Sequence, residues 1–276
     1  MVYRWRCQRC PFSLWAADGD ALADAIKSHL LEHAESNLQR DAVRTVWQCP
    51  YCGTQRHTYA GDGAIEAFET HLFEHVASRI ETGAHVADDV GGTGSVLVVG
   101  QTDAPTVANA RAHFLSRGDT VILVTAEPAA RLRLLDRTLP SWPESTTVVT
   151  TAADPLAATD IDRSGHSLDV VTIDGRPDLS NVGETVTRVL PTSLGDGRLS
   201  VQFDILPEIV EKFELQSVFR FLHLLSSRLD QAGALSHYYL DPRRIQRASC
   251  NVLEQAFDLS ITADGDVFRS ETTPSD

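Results

Sequence analysis

The 276-residue sequence carries 24 Lys+Arg against 38 Asp+Glu, a formal net charge of −14, with 42% hydrophobic residues. That apolar fraction excludes wholesale disorder, and no apolar run approaches the roughly 18 residues of a membrane span. Residues 1–7 (Met-Val-Tyr-Arg-Trp-Arg-Cys) hold no apolar signal-peptide core, so the chain is expected to be soluble and cytoplasmic, with no membrane partner.

Residues 1–78 contain an internal repeat. Cys7-Gln-Arg-Cys10 precedes His29-Leu-Leu-Glu-His33, and Cys49-Pro-Tyr-Cys52 precedes His71-Leu-Phe-Glu-His75. Eighteen residues separate the inner Cys from the first His in both copies, and every ligand-type residue recurs at an offset of 42. Trp5 and Trp47, Leu30 and Leu72, and Glu32 and Glu74 keep the same register. A module has been duplicated in tandem.

A Cys-x2-Cys knuckle sets two sulfurs side by side, and His-x3-His puts two imidazoles on one helical face. Together they are the four N/S ligands of a closed structural zinc site. Helical periodicity places Leu22, Ile26, His29 and His33 on one face of the first module, with Asp20 as expected cap. Ala64 or Ile65, Phe68, His71, Leu72 and His75 do the same in the second. Modules of about 35 residues need a staple to fold, and zinc supplies an apparent ~10–16 kcal/mol per site in finger peptides. The expected ligands of two structural zinc ions are therefore Cys7, Cys10, His29 and His33, and Cys49, Cys52, His71 and His75. These motifs resemble the Cys2His2 zinc-finger family, which implies ββα-type modules. The interval of eighteen exceeds the common twelve or so, and a longer hairpin over 11–19 and 53–63 is expected to absorb it.

The finger helices begin with Asp18-Gly-Asp-Ala-Leu-Ala-Asp24 and Gly61-Asp-Gly-Ala-Ile-Glu66, and residues 1–90 hold 8 Lys+Arg against 13 Asp+Glu. Base-reading helices carry Arg, Lys, Asn or Gln at these positions. The fingers are thus expected to contact protein or to self-associate. DNA is the alternative partner, with Arg4, Arg6, Arg9, Arg40 and Arg44 as candidate phosphate contacts.

Residues 81–94, rich in Gly with paired Asp, read as a linker. From residue 95 the sequence predicts strands at 96–100, 120–125, 147–151, 169–173, 199–203 and 235–239. Helices are predicted at 106–116, 129–138, 182–190, 218–231 and 243–257. Uniformly apolar strands alternating with helices specify an α/β domain with a mostly parallel sheet covered on both faces. The expected domains are zinc finger 1 (1–40), zinc finger 2 (41–80), the linker, the α/β domain (95–270) and a disordered tail (271–276).

The strand ending in Gly100 leads into Gly100-Gln-Thr-Asp-Ala-Pro-Thr-Val. A phosphate loop needs further glycines, a Lys for phosphate charge and Ser/Thr for Mg²⁺. Here the Lys and the second Gly are absent and Asp103 stands where an anion would dock. Thr106 is expected to cap the helix. Leu199-Ser-Val-Gln-Phe-Asp204 has the form of a Mg²⁺-coordinating strand, and Glu127 ends the second strand. The order of elements over 94–270, with Asp204-Ile-Leu-Pro-Glu-Ile-Val, Val218-Phe-Arg-Phe-Leu-His-Leu-Leu and Gly233-Ala-Leu-Ser-His-Tyr-Tyr-Leu-Asp-Pro242, resembles the RecA superfamily. The similarity is to its KaiC/GvpD-like branch, and within it to haloarchaeal members with a degenerate phosphate loop. The resemblance implies a RecA-like sheet with Asp204 as metal-side acid and Glu127 as catalytic acid. Thr106, Glu127 and Asp204 are the candidates toward a nucleotide, but without the loop Lys neither ATP/Mg²⁺ nor catalytic residues are expected.

Gly165-His-Ser-Leu-Asp169 half-matches a nucleophile elbow but precedes a strand, and Asp174-Gly-Arg-Pro-Asp178 reads first as a turn. Cys250, His223 and His237 are expected to pack in or beside the core. Lys27 and Lys212 are the only lysines, and Asp outnumbers Glu 24 to 14, a balance suited to a halophilic cytoplasm. The predicted function is a non-catalytic, zinc-binding regulatory or adaptor protein with an inactivated RecA-like domain. The alternatives are a DNA-binding transcriptional regulator and an ATP-binding switch or ATPase.

Overall fold

The computed structural model describes residues 2–40, 44–59, 63–116, 118–156, 165–173, 178–194 and 197–271. Residues 174–177 of the expected turn, residues 61–62 of the expected second finger-helix start, and residues 272–276 of the expected tail lie outside them. The chain divides into two compact units, residues 1–85 with 266–269, and residues 86–265 with 270–276.

In the first unit, β1 (Tyr3–Arg6) and β2 (Ser13–Ala16) form an antiparallel hairpin around the first Cys pair, in register from Tyr3↔Ala16 to Arg6↔Ser13. Helix α1 (Gly19–Ala34) follows. Its cap is Asp18, whose carboxylate accepts from the N–H groups of Asp20 (3.0 Å) and Ala21 (2.8 Å). Asp18 has the extended backbone a cap needs (φ −106°, ψ 131°), so Asp20, expected to cap, instead sits in the first turn, where its charge favours the helix dipole. The second copy places β3 (Leu38–Arg40), β4 (Arg44–Gln48) and β5 (Gln55–Tyr59) in a three-stranded antiparallel sheet ahead of α2 (Gly63–Glu74).

The two modules share one core. Trp5, Leu14, Leu22, Ile26 and Leu30 of the first pack in the same cluster as Trp47, Phe68, Leu72 and Val76 of the second, and α1 lies against α2. Within 81–94, β6 (Glu81–Thr82) pairs with β1, and Val86 and Ala87 are buried in a 3₁₀ turn. A strand from much later in the chain, Val267–Ser270, pairs with the other edge of β2.

In the second unit, β7 (Gly94–Val99), α3 (Pro105–Leu115), β8 (Thr120–Val124), α4 (Pro128–Thr138), β9 (Ser145–Thr150), β10 (Leu168–Thr172), α5 (Leu179–Arg188), β11 (Leu199–Phe203), α6 (Leu206–Lys212), α7 (Leu215–Gln231), β12 (Ala234–Leu240), α8 (Arg247–Glu254) and β13 (Leu259–Asp264) alternate. The strands order β10-β9-β8-β11-β12-β7-β13, and every pairing whose register is defined among them is parallel. Alternate residues of β8 serve opposite faces: Ile122 and Val124 join one core, Val121 and Leu123 the other. Strands buried on both faces account for the unbroken apolar runs in the sequence. Helix α6 and strand β13 are additional to the elements predicted, and α8 is shorter than the helix predicted over 243–257. Leu259–Asp264 alternates buried and partly exposed side chains, a strand period.

Candidate metal centres

Each Cys pair sits on a knuckle closed by backbone hydrogen bonds. Cys7 N donates to Phe12 O (2.9 Å), and Cys49 N donates to Thr54 O (2.8 Å). In both copies the N–H two residues on points back at the first sulfur, Arg9 N to Cys7 Sγ and Tyr51 N to Cys49 Sγ, each 3.4 Å. Such bonds fix the orientation of the sulfur on the knuckle. In α1 and α2 the four-residue His spacing turns both rings of each pair toward the knuckle.

The four ligand atoms of each set lie within 4.8 Å of one another. A tetrahedral zinc with Zn–S about 2.3 Å and Zn–N about 2.05 Å would space S···N by about 3.5 Å and N···N by about 3.3 Å. In the first set Cys7 Sγ is 3.5 Å from His33 Nε2, and Cys10 Sγ is 3.4 Å from His29 Nε2 and 3.2 Å from His33 Nε2. In the second, Cys49 Sγ is 3.5 Å from His75 Nε2, Cys52 Sγ is 3.3 Å from His71 Nε2, and the two Nε2 atoms are 3.3 Å apart. These are the edges of a zinc tetrahedron, and both sets can hold the ion. All eight residues expected to be ligands from the sequence are brought together in this way.

The surroundings repeat as well. Facing with Nε2 leaves Nδ1 of the first His of each pair toward a glutamate: His29 Nδ1 is 3.7 Å from Glu32 Oε2, and His71 Nδ1 is 3.6 Å from Glu74 Oε2. A carboxylate behind a ligating His fixes its tautomer and raises its basicity, which gives the repeated glutamates a reason. Burial, then the neighbouring His33, holds His29 down to about 4, so its ring is a neutral ligand at ordinary pH. Burial pushes the Cys49 thiol up, while hydrogen bonding to Thr54 holds Cys52 down to about 6. Phe12 stacks on His29 (3.8 Å, 7°), and Trp47 lies over Phe68 (4.9 Å) and beside His71 (5.3 Å).

In the second unit the carboxyl ends of β7, β11 and β12 carry a polar network. Asp204, directly after β11, accepts from Arg111 Nε (3.0 Å) and pairs with Arg131 as well. Arg131 also reaches Glu127 (3.2 Å). Arg111 is 1% exposed, donates to Thr102 O (3.2 Å) and lies 4.4 Å over the Tyr239 ring. Beneath it Tyr239 Oη contacts His237 Nδ1 (2.8 Å), and His237 Nε2 contacts Ser200 Oγ (3.1 Å). Asp241, after β12, accepts from Thr102 N (3.2 Å) and from Arg243, which also binds Asp103 (2.9 Å). The hydrogen bonds from Arg243 hold the Asp241 carboxyl down to about 2.

With this geometry in place, residues 93–263 match a family of unknown function (DUF7504). The chain belongs to that family. The match lies in the second unit, so the two Cys2His2 modules precede the DUF7504 region. No curated protein matches the chain. A solved protein from Pyrococcus horikoshii OT3 aligns at 12% identity over 62% of this chain and 82% of its own, with a TM-score of 0.43.

The nucleotide-side expectations in the DUF7504 region resolve differently from the metal sites. Thr106 does not cap α3, because the N-cap position is Ala104 and the Thr106 hydroxyl donates to Gly265 O. Glu127 lies past the end of β8, is exposed and binds Arg131. Asp204 faces two guanidinium groups. Gly100 serves close packing: a Cβ there would lie 2.7 Å from Val107 Cγ2 and 3.2 Å from Ala263 Cβ. Sequence alone does not signal Arg111, Arg131 and Arg243, because their carboxylate partners, except Asp241 and Glu127, lie far along the chain. His223 is exposed on α7, against expectation, since it falls on the outer face of that helix. His237 and Cys250 are buried as expected, and burial pushes the Cys250 thiol up to about 11. Gly165 is a turn residue (φ +94°) beside His166, which stacks on Trp142. Among the described residues no helix is long and apolar enough to cross a membrane.

Proposed function

We propose that the chain is a zinc-binding, non-catalytic adaptor or regulator: two zinc-stapled fingers form a partner-binding arm, and the DUF7504 unit is a scaffold that does not turn over nucleotide. The observation that carries the second half is the pairing of Asp204 with Arg111 and Arg131. An acid placed to hold Mg²⁺ is already neutralised by two cations, one of them fully buried. Releasing it would strand a buried guanidinium, at about 3–5 kcal/mol.

A RecA-like reading of the sheet is supported by its order. One strand, β12, separates β7, which ends beside Gly100, from β11, which ends beside Asp204, and β8 follows on the far side. The partner-binding reading of the fingers is supported by their acidic helix starts and by Arg4, whose guanidinium is taken by Glu81 (3.1 Å) rather than offered to phosphate. The scarcity of lysine fits work in a salt-rich cytoplasm, where the Debye length is about 3 Å at 1 M.

Metal analysis of the full chain is expected to return two zinc ions. Saturating ATP and Mg²⁺ is expected to leave the melting temperature unchanged, whereas a ligand at 100 times its Kd adds about 2.7 kcal/mol. A nucleotide-dependent shift that Asp204→Asn abolishes would overturn the scaffold reading in favour of an ATP-binding switch. Sequence-dependent duplex binding in molar salt, lost on Cys49→Ser, would favour the DNA-binding regulator.

A further inference from the structure

The duplication sets up an internal comparison at the finger hairpins. At the repeat offset, Ser13, Leu14, Trp15 and Ala16 of β2 correspond to Gln55, Arg56, His57 and Thr58 of β5. All four β2 residues are buried. That strand is paired on both edges, with β1 on one side and the strand Val267–Ser270 on the other. All five β5 residues are exposed, Tyr59 at 66%. β5 is the last strand of its sheet, with β4 as its one neighbour among the described residues.

From this we infer that the free edge of β5 is a docking site for an extended acidic segment of a partner protein, which adds as a strand just as Val267–Ser270 adds to β2. The inference rests on the adaptor reading above and specifies where that adaptor binds and what chemistry it takes. An edge strand turns the N–H and C=O groups of alternate residues outward, and an incoming strand satisfies them. The first copy shows that this hairpin geometry admits such a strand.

Side chains select the occupant. Strands β3, β4 and β5 carry Arg40, Arg44 and Arg56 and neither Asp nor Glu, and Asp41 is the one acid of the sequence from 38 to 59, on a chain of net charge −14. On β5 itself, Gln55, His57 and Tyr59 line one face, with the His57 and Tyr59 rings 5.6 Å apart. Arg56 and Thr58 line the other. A docked strand would therefore set carboxylates along the Arg56 and Thr58 face and β-branched side chains along the His57 and Tyr59 face, pairs that stabilise a ladder by about 0.2–1 kcal/mol each. The apolar partner suited to β2, which includes Val267 and Phe268, would find only the Tyr59 ring to cover on β5.

The experiment titrates the zinc-loaded full chain, isotope-labelled for NMR, with an end-capped nine-residue peptide that alternates Glu with Val and Thr. Two twins of the peptide carry N-methyl groups on one or the other set of alternate amides. Molar salt suppresses long-range attraction between charges. The expected result is saturable shifts confined to β5 and its neighbours, binding weakened at least tenfold by methylation of one set, and binding kept on methylation of the other. Arg56→Glu is expected to weaken it about tenfold with both zinc ions retained.

Equal binding by both twins would mean charge attraction without strand addition and would overturn the inference. So would shifts elsewhere in the chain, or the absence of binding up to millimolar peptide. Occupancy of β5 by a single-stranded oligothymidine in preference to the peptide would replace it with a nucleic-acid platform. Concentration-dependent dimers broken by Arg56→Glu would replace it with self-pairing. The failure of strand addition leaves the adaptor reading standing, since that reading is tested separately by zinc content, by indifference to nucleotide and by the absence of sequence-dependent duplex binding.

Discussion

The two Cys2His2 modules repeat one sequence pattern and differ most in the strand that follows the knuckle. Their cages agree to within a few tenths of an ångström in every sulfur–nitrogen edge that both share. Their caged helices also bury equivalent residues, Leu30 and Leu72 among them. Yet the hairpin strand after the knuckle is Ser-Leu-Trp-Ala and buried in one copy, and Gln-Arg-His-Thr-Tyr and exposed in the other. Metal ligation constrains the knuckle and the inner helix face but leaves the hairpin free. One copy has spent that freedom on packing, the other on surface chemistry.

The largest test treats the copies alike. Stripping zinc with a chelator is expected to unfold both modules, with a loss on the scale of ~10–16 kcal/mol per site, and to leave the α/β unit folded. Circular dichroism with metal quantitation reads this, and one module surviving without metal would break the equivalence of the cages.

The next separates them. Trp15 and His57 occupy the same repeat position, but Trp15 is 0% exposed. Trp15→Ala is expected to cost about 3–5 kcal/mol, and His57→Ala no more than about 0.5 kcal/mol, by urea denaturation. Equal costs would remove the contrast between packed and open hairpins.

Smaller effects probe the shared second layer. Glu32→Gln and Glu74→Gln are each expected to weaken zinc at their own site by about 10–100-fold. Competition with a chromogenic chelator would show it, and unequal losses would mean that the two carboxylates do different work. Asp18→Ala is expected to cost only about 1 kcal/mol through loss of the α1 cap, visible as a small drop in the urea midpoint.

How far the structure could be read from the sequence follows the range of the interactions. The cages were fully legible because a repeat fixes spacing, chemistry and helical face together, and each ligand pair is local. Strand β11 is legible to the residue, since Leu199, Val201 and Phe203 recur with the strand period of two and Asp204 ends the run. The cap of α1 was misplaced by two residues because Asp18 and Asp20 flank Gly19 and both have capping chemistry; only the backbone at Asp18 decides between them. The ion-pair network was out of reach. Arg111 and Asp204 lie 93 residues apart, and an arginine inside a helix carries no local sign that it points into a core. Strand β13 was lost beside a helical reading that ran on to Phe257. The strand Val267–Ser270 has four residues, and its role depends on a hairpin more than 250 positions earlier.

That last pairing bears on biosynthesis. The second module has its knuckle, hairpin and helix once residue 75 or so has emerged from the ribosome. The first must wait for residues 267–270 before its sheet is complete. At about 5–20 residues per second that is a delay of roughly 10–50 s, during which the Leu14–Trp15 strand lacks its second neighbour. Truncated products ending before residue 267 would keep that apolar edge open permanently, and would be prone to aggregate.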